Sequence, residues 1–221
     1  MKKGVVFDFD GVIINSCEIQ RQAFLESYKI IVGEGNPSFA EFLSHSGDSL
    51  HNILLKMNLP LEMIEPYRRI SRERIGLIKE NKGIRELLER LTADGYICAL
   101  CTGKERSRTL EIVEKLTLGQ YFKTIVCSDD VKYPKPHRES LVLALNNMDI
   151  DFDNAVMVGD GRNDILCAKN TGVKCIAVGW GDTPEHILKS ESPNYLVNTP
   201  DELYKGIITL LETNDDYDIA L

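Results

Sequence analysis

The stretch Val5-Val6-Phe7-Asp8-Phe9-Asp10-Gly11-Val12 decides the fold. An apolar run this dense reads as a strand buried on both faces, the kind a parallel sheet uses. It ends in two carboxylates. Like charges at the mouth of a sheet repel, and a compensating cation, usually a metal ion, makes such a pair tolerable. Alternate strand residues point to opposite faces. Asp8 and Asp10 therefore reach one site only if the strand ends near Asp8 and the chain turns, and Gly11 permits that turn.

Outward from this strand the pattern first becomes helical. Asn15-Ser16-Cys17-Glu18 has the form of a capping box, with Asn15 or Ser16 as N-cap. From there to about Lys79 no strand is read. Ala23, Phe24, Tyr28 and Ile31, then Ile53, Leu54 and Met57, then Ile64, Tyr67, Ile70 and Ile78 fall at helical spacing. Turns at 33–37 and 46–48 interrupt them. Beyond, helix and strand alternate: helix 83–94, strand 96–101, helix 104–117, strand 124–127, helix 137–147, strand 155–158, helix 162–170, strand 174–178 and helix 200–212. The pattern predicts an α/β protein with a three-layer Rossmann-like core and a mainly parallel sheet, residues 1–15 and 80–221, interrupted by an all-helical domain at 16–79. In such sheets ligands bind at the carboxyl ends of the strands. The acidic tail Asn214-Asp215-Asp216-Tyr217-Asp218 reads as a frayed end.

Composition narrows the function. The chain has 221 residues, 43% hydrophobic and 27% charged, with a net charge of −8. That size holds one good core with a small accessory domain. The acidic balance opposes nucleic-acid binding. No apolar run approaches the ~20 residues of a membrane span, and the N-terminal run is too short for a signal peptide. The expectation is a cytoplasmic protein, monomer or homodimer. Its six cysteines read as buried thiols. Cys98 and Cys101 have redox or zinc spacing, but on one strand they point to opposite faces.

The polar residues at the strand ends carry the chemistry. After the strand at 96–101 come Thr102-Gly103-Lys104, a hydroxyl and a glycine at a helix start suited to a phosphate oxygen. Then comes Lys135 between Pro134 and Pro136, and then Gly159-Asp160-Gly161-Arg162-Asn163-Asp164. Singly, Thr102 reads as well as a helix N-cap, Lys135 as a loop lysine, and Asp160 and Asp164 as turn and cap residues. All four groups in this order, each after a buried strand, point to one site.

With Asp8-Phe9-Asp10-Gly11, Thr102, Lys135 and Gly159-Asp160…Asp164, the sequence resembles the haloacid dehalogenase-like hydrolase superfamily over essentially its whole length. The helical insertion is similar to that superfamily's small helical cap. Val178-Gly179-Trp180-Gly181, Asn194-Tyr195-Leu196-Val197 and Pro200-Asp201-Glu202-Leu203 resemble its phosphoglycolate-phosphatase-type branch. The resemblance implies a Mg²⁺-dependent phosphatase acting on a small phosphorylated substrate through an aspartyl phosphate. Asp8 would be the nucleophile and Asp10 the acid–base. Mg²⁺ would be held by the Asp8 and Asp160 carboxylates and the Asp10 carbonyl. Thr102 and neighbouring amides would hold phosphoryl oxygens, Lys135 would supply positive charge, and Asp164 would order a metal water or Lys135. Gly103, Lys104 and His45, the last in the loop that closes over the site, are candidate substrate contacts.

Rival readings bear on the same residues. Dehalogenating members lack an acid at Asp10. Phosphomutases of the β-phosphoglucomutase type, the alternative activity, carry a histidine where Gln20 stands and an arginine in the loop that here reads His45-Ser46-Gly47-Asp48. A receiver domain is about half this length with its acceptor on a later strand, and a catalytically silent binding protein has no use for four clustered carboxylates. Arg138 stands where a second proline is usual. The cap arginines Arg68, Arg69, Arg72 and Arg74 read as a solvated face laced by Glu65–Arg69 and Arg69–Glu73 pairs. The crossings near Ile14–Ser16 and Lys79–Gly83 read as hinges.

Overall fold

The computed structural model describes residues 1–212. In chain order the regular elements are β1 (Gly4–Phe7), β2 (Ile14–Asn15), α1 (Cys17–Ile31), α2 (Phe39–Ser44), α3 (Leu50–Lys56), α4 (Ile64–Glu73) and β3 (Lys79–Glu80). There follow α5 (Ile84–Ala93), β4 (Ile97–Cys101), α6 (Arg106–Lys115), β5 (Phe122–Val126), α7 (Glu139–Met148) and β6 (Ala155–Gly159). The last are α8 (Arg162–Thr171), β7 (Lys174–Val178), α9 (Glu185–Ser190), β8 (Tyr195–Val197) and α10 (Pro200–Glu212). The acidic tail beginning at Asn214 lies outside the described residues.

Six strands form one sheet in the order β5-β4-β1-β6-β7-β8, and every pairing is parallel. Strand alternation divides the core in two. Val5 and Phe7 face a layer built from Leu87, Leu88 and Leu91 of α5, Ile112 of α6, and Leu203 and Ile207 of α10. Val6 faces the opposite layer of Leu141, Leu145, Ile165 and Leu188 from α7, α8 and α9. Cys98 and Cys101 fall on opposite faces, as strand geometry requires. The chain lays β4 and β5 on one side of β1, then crosses to build β6, β7 and β8 on the other. That reversal opens a crevice at the carboxyl end of β1, where such sheets bind ligands.

Helices α1 to α4 pack around a cluster of their own: Phe24, Phe42, Ile53, Leu54 and Met63. Phe24 and Phe42 rings meet at 4.7 Å. Ile19 and Ile78, at the two ends of this segment, join the sheet's core instead. Ile31 is 38% exposed, so the apolar stripe of α1 stops short of it. The two crossings are joined rather than loose: β2 and β3 pair antiparallel, and Asn81 Nδ2 donates to the Gly11 and Val12 carbonyls. The capping box at Asn15–Glu18 does not form. Ser16 is the N-cap of α1, but its hydroxyl donates to Asp10 Oδ1 instead of capping.

Candidate active site

Four strand ends converge where the sheet reverses. Asp8 follows β1, Thr102 follows β4 and Asp160 follows β6, while α8 and the loop before α7 bring Asp164 and Lys135. Gly11, at φ +76°, makes the turn after β1, and a Cβ there would fall 2.1 Å from Asp160 Oδ2. The left-handed backbone and the close approach both require glycine.

The centre is dry and charged. Asp8 is 4% exposed, Asp160 3%, Lys135 1% and Asp164 0%. Lys135 Nζ lies 2.8 Å from Asp8 Oδ1 and 2.5 Å from Asp164 Oδ1. Asp164 Oδ2 accepts from the Gly161 amide at 3.0 Å, so both oxygens of that carboxylate are engaged. Asp160 Oδ2 accepts from the Asp182 amide at 3.0 Å. Burial pushes Asp8 up to about 7, with Asp164 adding and Lys135 opposing. Burial, then the charge of Asp8, holds Asp160 well above the usual carboxylate range. Asp164 and Asp8 hold Lys135 protonated against the cost of its burial.

Asp10 stands apart from this trio, beside the cavity. Its Oδ2 is 3.2 Å from Lys104 Nζ, and Oδ1 accepts from Ser16 Oγ, with Gln20 Nε2 at 3.4 Å. Thr102 Oγ1 accepts from the Lys104 amide at 3.1 Å, which leaves its O–H directed elsewhere. Thr102-Gly103-Lys104 does not open the helix as the sequence pattern predicts, since Glu105 is the N-cap of α6. The glycine instead lies against the backbone of Gly47 and Asp48 in the loop after α2.

A cavity of about 80 Å³ joins this centre to the helical layer. Asp8, Asp10, Thr102, Gly103, Lys104 and Asp160 form its floor, and Phe42, Leu50, Ile53 and Tyr67 its apolar wall. His45 does not line it. Its neighbours Ser46, Gly47 and Asp48 do, while His45 turns its carbonyl to Asn163 Nδ2. Within this loop the cavity is therefore faced by Ser46, Gly47 and Asp48 and not by His45. Arg68 is a second correction: it lines the cavity and pairs with Glu105 of the core and Glu65, so it is not part of a solvated face. The predicted Glu65–Arg69 pair is replaced by Glu65–Arg68, while Arg69–Glu73 forms at 3.2 Å.

Arg108 and Asp182 also line the cavity and were not read from the sequence. Arg108 is 5% exposed and donates to the Ser71 carbonyl at 2.9 Å, tying α6 to α4. No local pattern announces that contact. Asp182 follows β7 in the stretch Gly179-Trp180-Gly181-Asp182, so the strand-end rule that found the others could have found it.

Asp8, Asp160 and Asp164 each offer an oxygen within 4.8 Å of the others, the acidic cluster of metal-site geometry among the described residues. When all three are ionised, the carboxylates around the one buried lysine leave two negative charges in excess, which is the charge of one divalent cation. Asp8 Oδ1, although close to Lys135, has no hydrogen-bond donor in line and is a buried orphan. An all-oxygen donor set with an orphaned carboxylate oxygen suits a hard cation such as Mg²⁺.

A family model described as haloacid dehalogenase-like hydrolase matches residues 5–178, a span that takes in Asp8, Thr102, Lys135, Asp160 and Asp164. The chain belongs to the haloacid dehalogenase-like hydrolase family. Among relatives of this family, pyrophosphatase PpaX of Bacillus mycoides is 32% identical over 203 residues, 90% of this chain and 94% of the relative. The crystal structure of a predicted phosphatase from Clostridium acetobutylicum superposes with a TM-score of 0.84 and 26% identity, over 95% of this chain and 100% of that one. A hydrolase from Pseudomonas syringae shares the fold, with a TM-score of 0.83 and 19% identity over 98% and 99% of the two chains. The chain is a phosphatase of the haloacid dehalogenase-like family. No described helix is long and apolar enough to cross a membrane.

Proposed function

We propose that this phosphatase hydrolyses a small phosphate monoester in two displacements at Asp8. A carboxylate oxygen of Asp8 attacks phosphorus, the bond to the leaving oxygen breaks, and Asp10 gives that oxygen its proton. Water then attacks the phosphorus of the aspartyl phosphate, gives its proton to Asp10, and frees Asp8 and inorganic phosphate. The observation that carries this reading is the separation of the two carboxylates. Asp8 is sealed against Lys135, while Asp10 lies at the cavity, 22% exposed and held by Ser16 and Lys104. That difference supports a division of labour in which Asp8 attacks phosphorus and Asp10 exchanges protons.

The remaining residues fall around that pair. Thr102 and the amides after it would take phosphoryl oxygens, and the Lys135 ammonium would offset charge on the transferring group. Asp8, Asp160 and the Asp10 carbonyl would hold Mg²⁺, which when bound supplies charge neutralisation and orients the phosphoryl group. Asp164 holds Lys135 in place. Residues 16–79 act as a cap whose surface over the cavity grips the leaving group and excludes water. Gln20, bonded to Ser16 Oγ at 2.9 Å, belongs to the shell that fixes Asp10.

Inorganic pyrophosphate is the second reading. The Bacillus relatives bear that name, and Lys104, Arg68 and Arg108 all line the cavity beyond Asp8. Purified protein assayed for released phosphate with Mg²⁺, against small monoesters and pyrophosphate side by side, separates the two. Higher kcat/KM for a monoester upholds the first reading, and a clear preference for pyrophosphate replaces it.

A further inference from the structure

Asn163 stands between the acidic centre and the helical layer. It sits in the first turn of α8, between Asp160 and Asp164, and is 7% exposed. Its Nδ2 donates to the carbonyl of His45 at 3.0 Å and to that of Ser46 at 2.8 Å. An amide NH₂ has two hydrogens, so each carbonyl takes one. The same loop meets the core again at Gly103, where a Cβ would fall 2.4 Å from the Asp48 carbonyl oxygen and 2.5 Å from that of Gly47. Between these two contacts Gly47 lies over the centre itself. A Cβ on it would be 3.5 Å from Asp164 Oδ1 and 3.8 Å from Lys135 Cε.

The loop is therefore gripped by its backbone. Its side chains have other work: Ser46 and Asp48 line the cavity, and Asp48 is fixed by Lys56 at 2.7 Å and Asn52 at 2.8 Å. A grip on carbonyls is indifferent to the loop's side chains, so holding the loop down and reading a substrate are separable tasks. Asn163 also shares its helical turn with Asp164, whose oxygens accept from Gly161 and Lys135. Order in the acidic centre is order in the donor that holds the loop.

We propose that Asn163 is a positioning residue that latches the His45–Asp48 loop over Lys135 and Asp164, coupling assembly of the acidic centre to closure of the cap. The inference rests on the cap reading given above. It explains an amide at this position. A carboxylate of the same size would face two carbonyl oxygens and add to a charge excess that is already two, reversing the attraction.

Hydrogen exchange on the full chain tests it, in wild type, Asn163→Ala and Asn163→Asp, with and without Mg²⁺ plus inorganic phosphate. In wild type the probe should slow exchange in a peptide spanning residues 42–50. In both variants that peptide should exchange about tenfold faster with the probe present, the worth of two ordinary hydrogen bonds, while β1 and β6 keep wild-type protection. Asn163→Ser, one donor short, should fall between. Turnover of p-nitrophenyl phosphate gives a second readout. Gly103→Ala, which obstructs the same loop, should cost less kcat/KM in the Asn163→Ala background than in wild type. Unchanged loop exchange in both variants would overturn the latch. So would loosening of β1 and β6 in step with the loop, or full additivity of the two substitutions. A wild-type chain that hydrolyses no phosphate ester would instead overturn the proposed function, and the exchange data would still judge the latch.

Discussion

Lys135→Met tests the charge balance on which the site is built. The substitution keeps the unbranched four-atom stem of the side chain and removes its ammonium, which lies 2.8 Å from Asp8 Oδ1 and 2.5 Å from Asp164 Oδ1 at 1% exposure. Breaking a buried pair by removing one partner costs about 3–5 kcal/mol. At roughly 2–4 °C per kcal/mol for a chain of this size, the metal-free variant should melt about 6–20 °C below wild type near pH 8. The pH dependence is sharper than the magnitude. Asp8 is raised to about 7 in the folded chain, so without metal the fold favours its protonated form. Its contribution is most favourable at low pH and is lost as pH rises from the ordinary carboxylate range through that value. Lys135 is what lowers Asp8, so its removal raises Asp8 further. The variant's deficit should therefore shrink at pH 5, where Asp8 is already neutral, and widen at pH 8. Thermal melts of both proteins in chelator, at the two pH values, give the comparison. An equal deficit at pH 5 and pH 8 would refute the charge-balance argument.

Other perturbations have equally definite outcomes. Mg²⁺ at a hundred times its Kd should stabilise the wild type by about 2.7 kcal/mol, a rise of roughly 5–11 °C in melting temperature, and Asp160→Asn should lose most of that rise. Excess chelator should stop phosphate release and added Mg²⁺ restore it; full activity in chelator would remove the metal from the account. Asp10→Asn should lower kcat/KM by about 10²–10⁴-fold on an alkyl phosphate and by much less on p-nitrophenyl phosphate, whose leaving group needs no proton. Equal losses on the two esters would deny Asp10 the acid's role. Ser46→Ala and Asp48→Asn should change the ranking of esters by kcat/KM; a uniform loss across all of them would make the cap loop a lid without selectivity.

Much of this molecule was legible because burying charge is expensive. A strand apolar on both faces that stops at Asp8, or at Gly159-Asp160, marks a place where a sheet opens on something charged, and the structure brings those ends together. The parallel order and the helical interruption follow from periodicities long enough to read. Where the pattern was short or one-sided, reading failed. Helix α9 spans six residues, under two turns, and β8 is an edge strand whose Tyr195 is 39% exposed, so neither has a periodic stripe to detect. Contacts between distant segments left no local trace. Arg68 belongs to a charged helix face by spacing, and only folding reveals Glu105 opposite it. Ser16 stands at the N-cap position, but its hydroxyl donates to the Asp10 carboxylate and its oxygen accepts from Gln20 Nε2 rather than from a helix amide, contacts that no local pattern announces.

The central claim is that phosphorus passes through Asp8, and the most direct measurement is the state of that side chain during turnover. The wild-type enzyme is quenched in acid while hydrolysing a phosphate ester with Mg²⁺, and the peptide containing residues 5–12 is examined by mass spectrometry. A phosphoryl group is expected on Asp8 in the quenched wild type, none in the absence of substrate, and neither adduct nor turnover in Asp8→Asn. Steady turnover with an unmodified Asp8, or an Asp8→Asn enzyme that hydrolyses the ester at the wild-type rate, would contradict it.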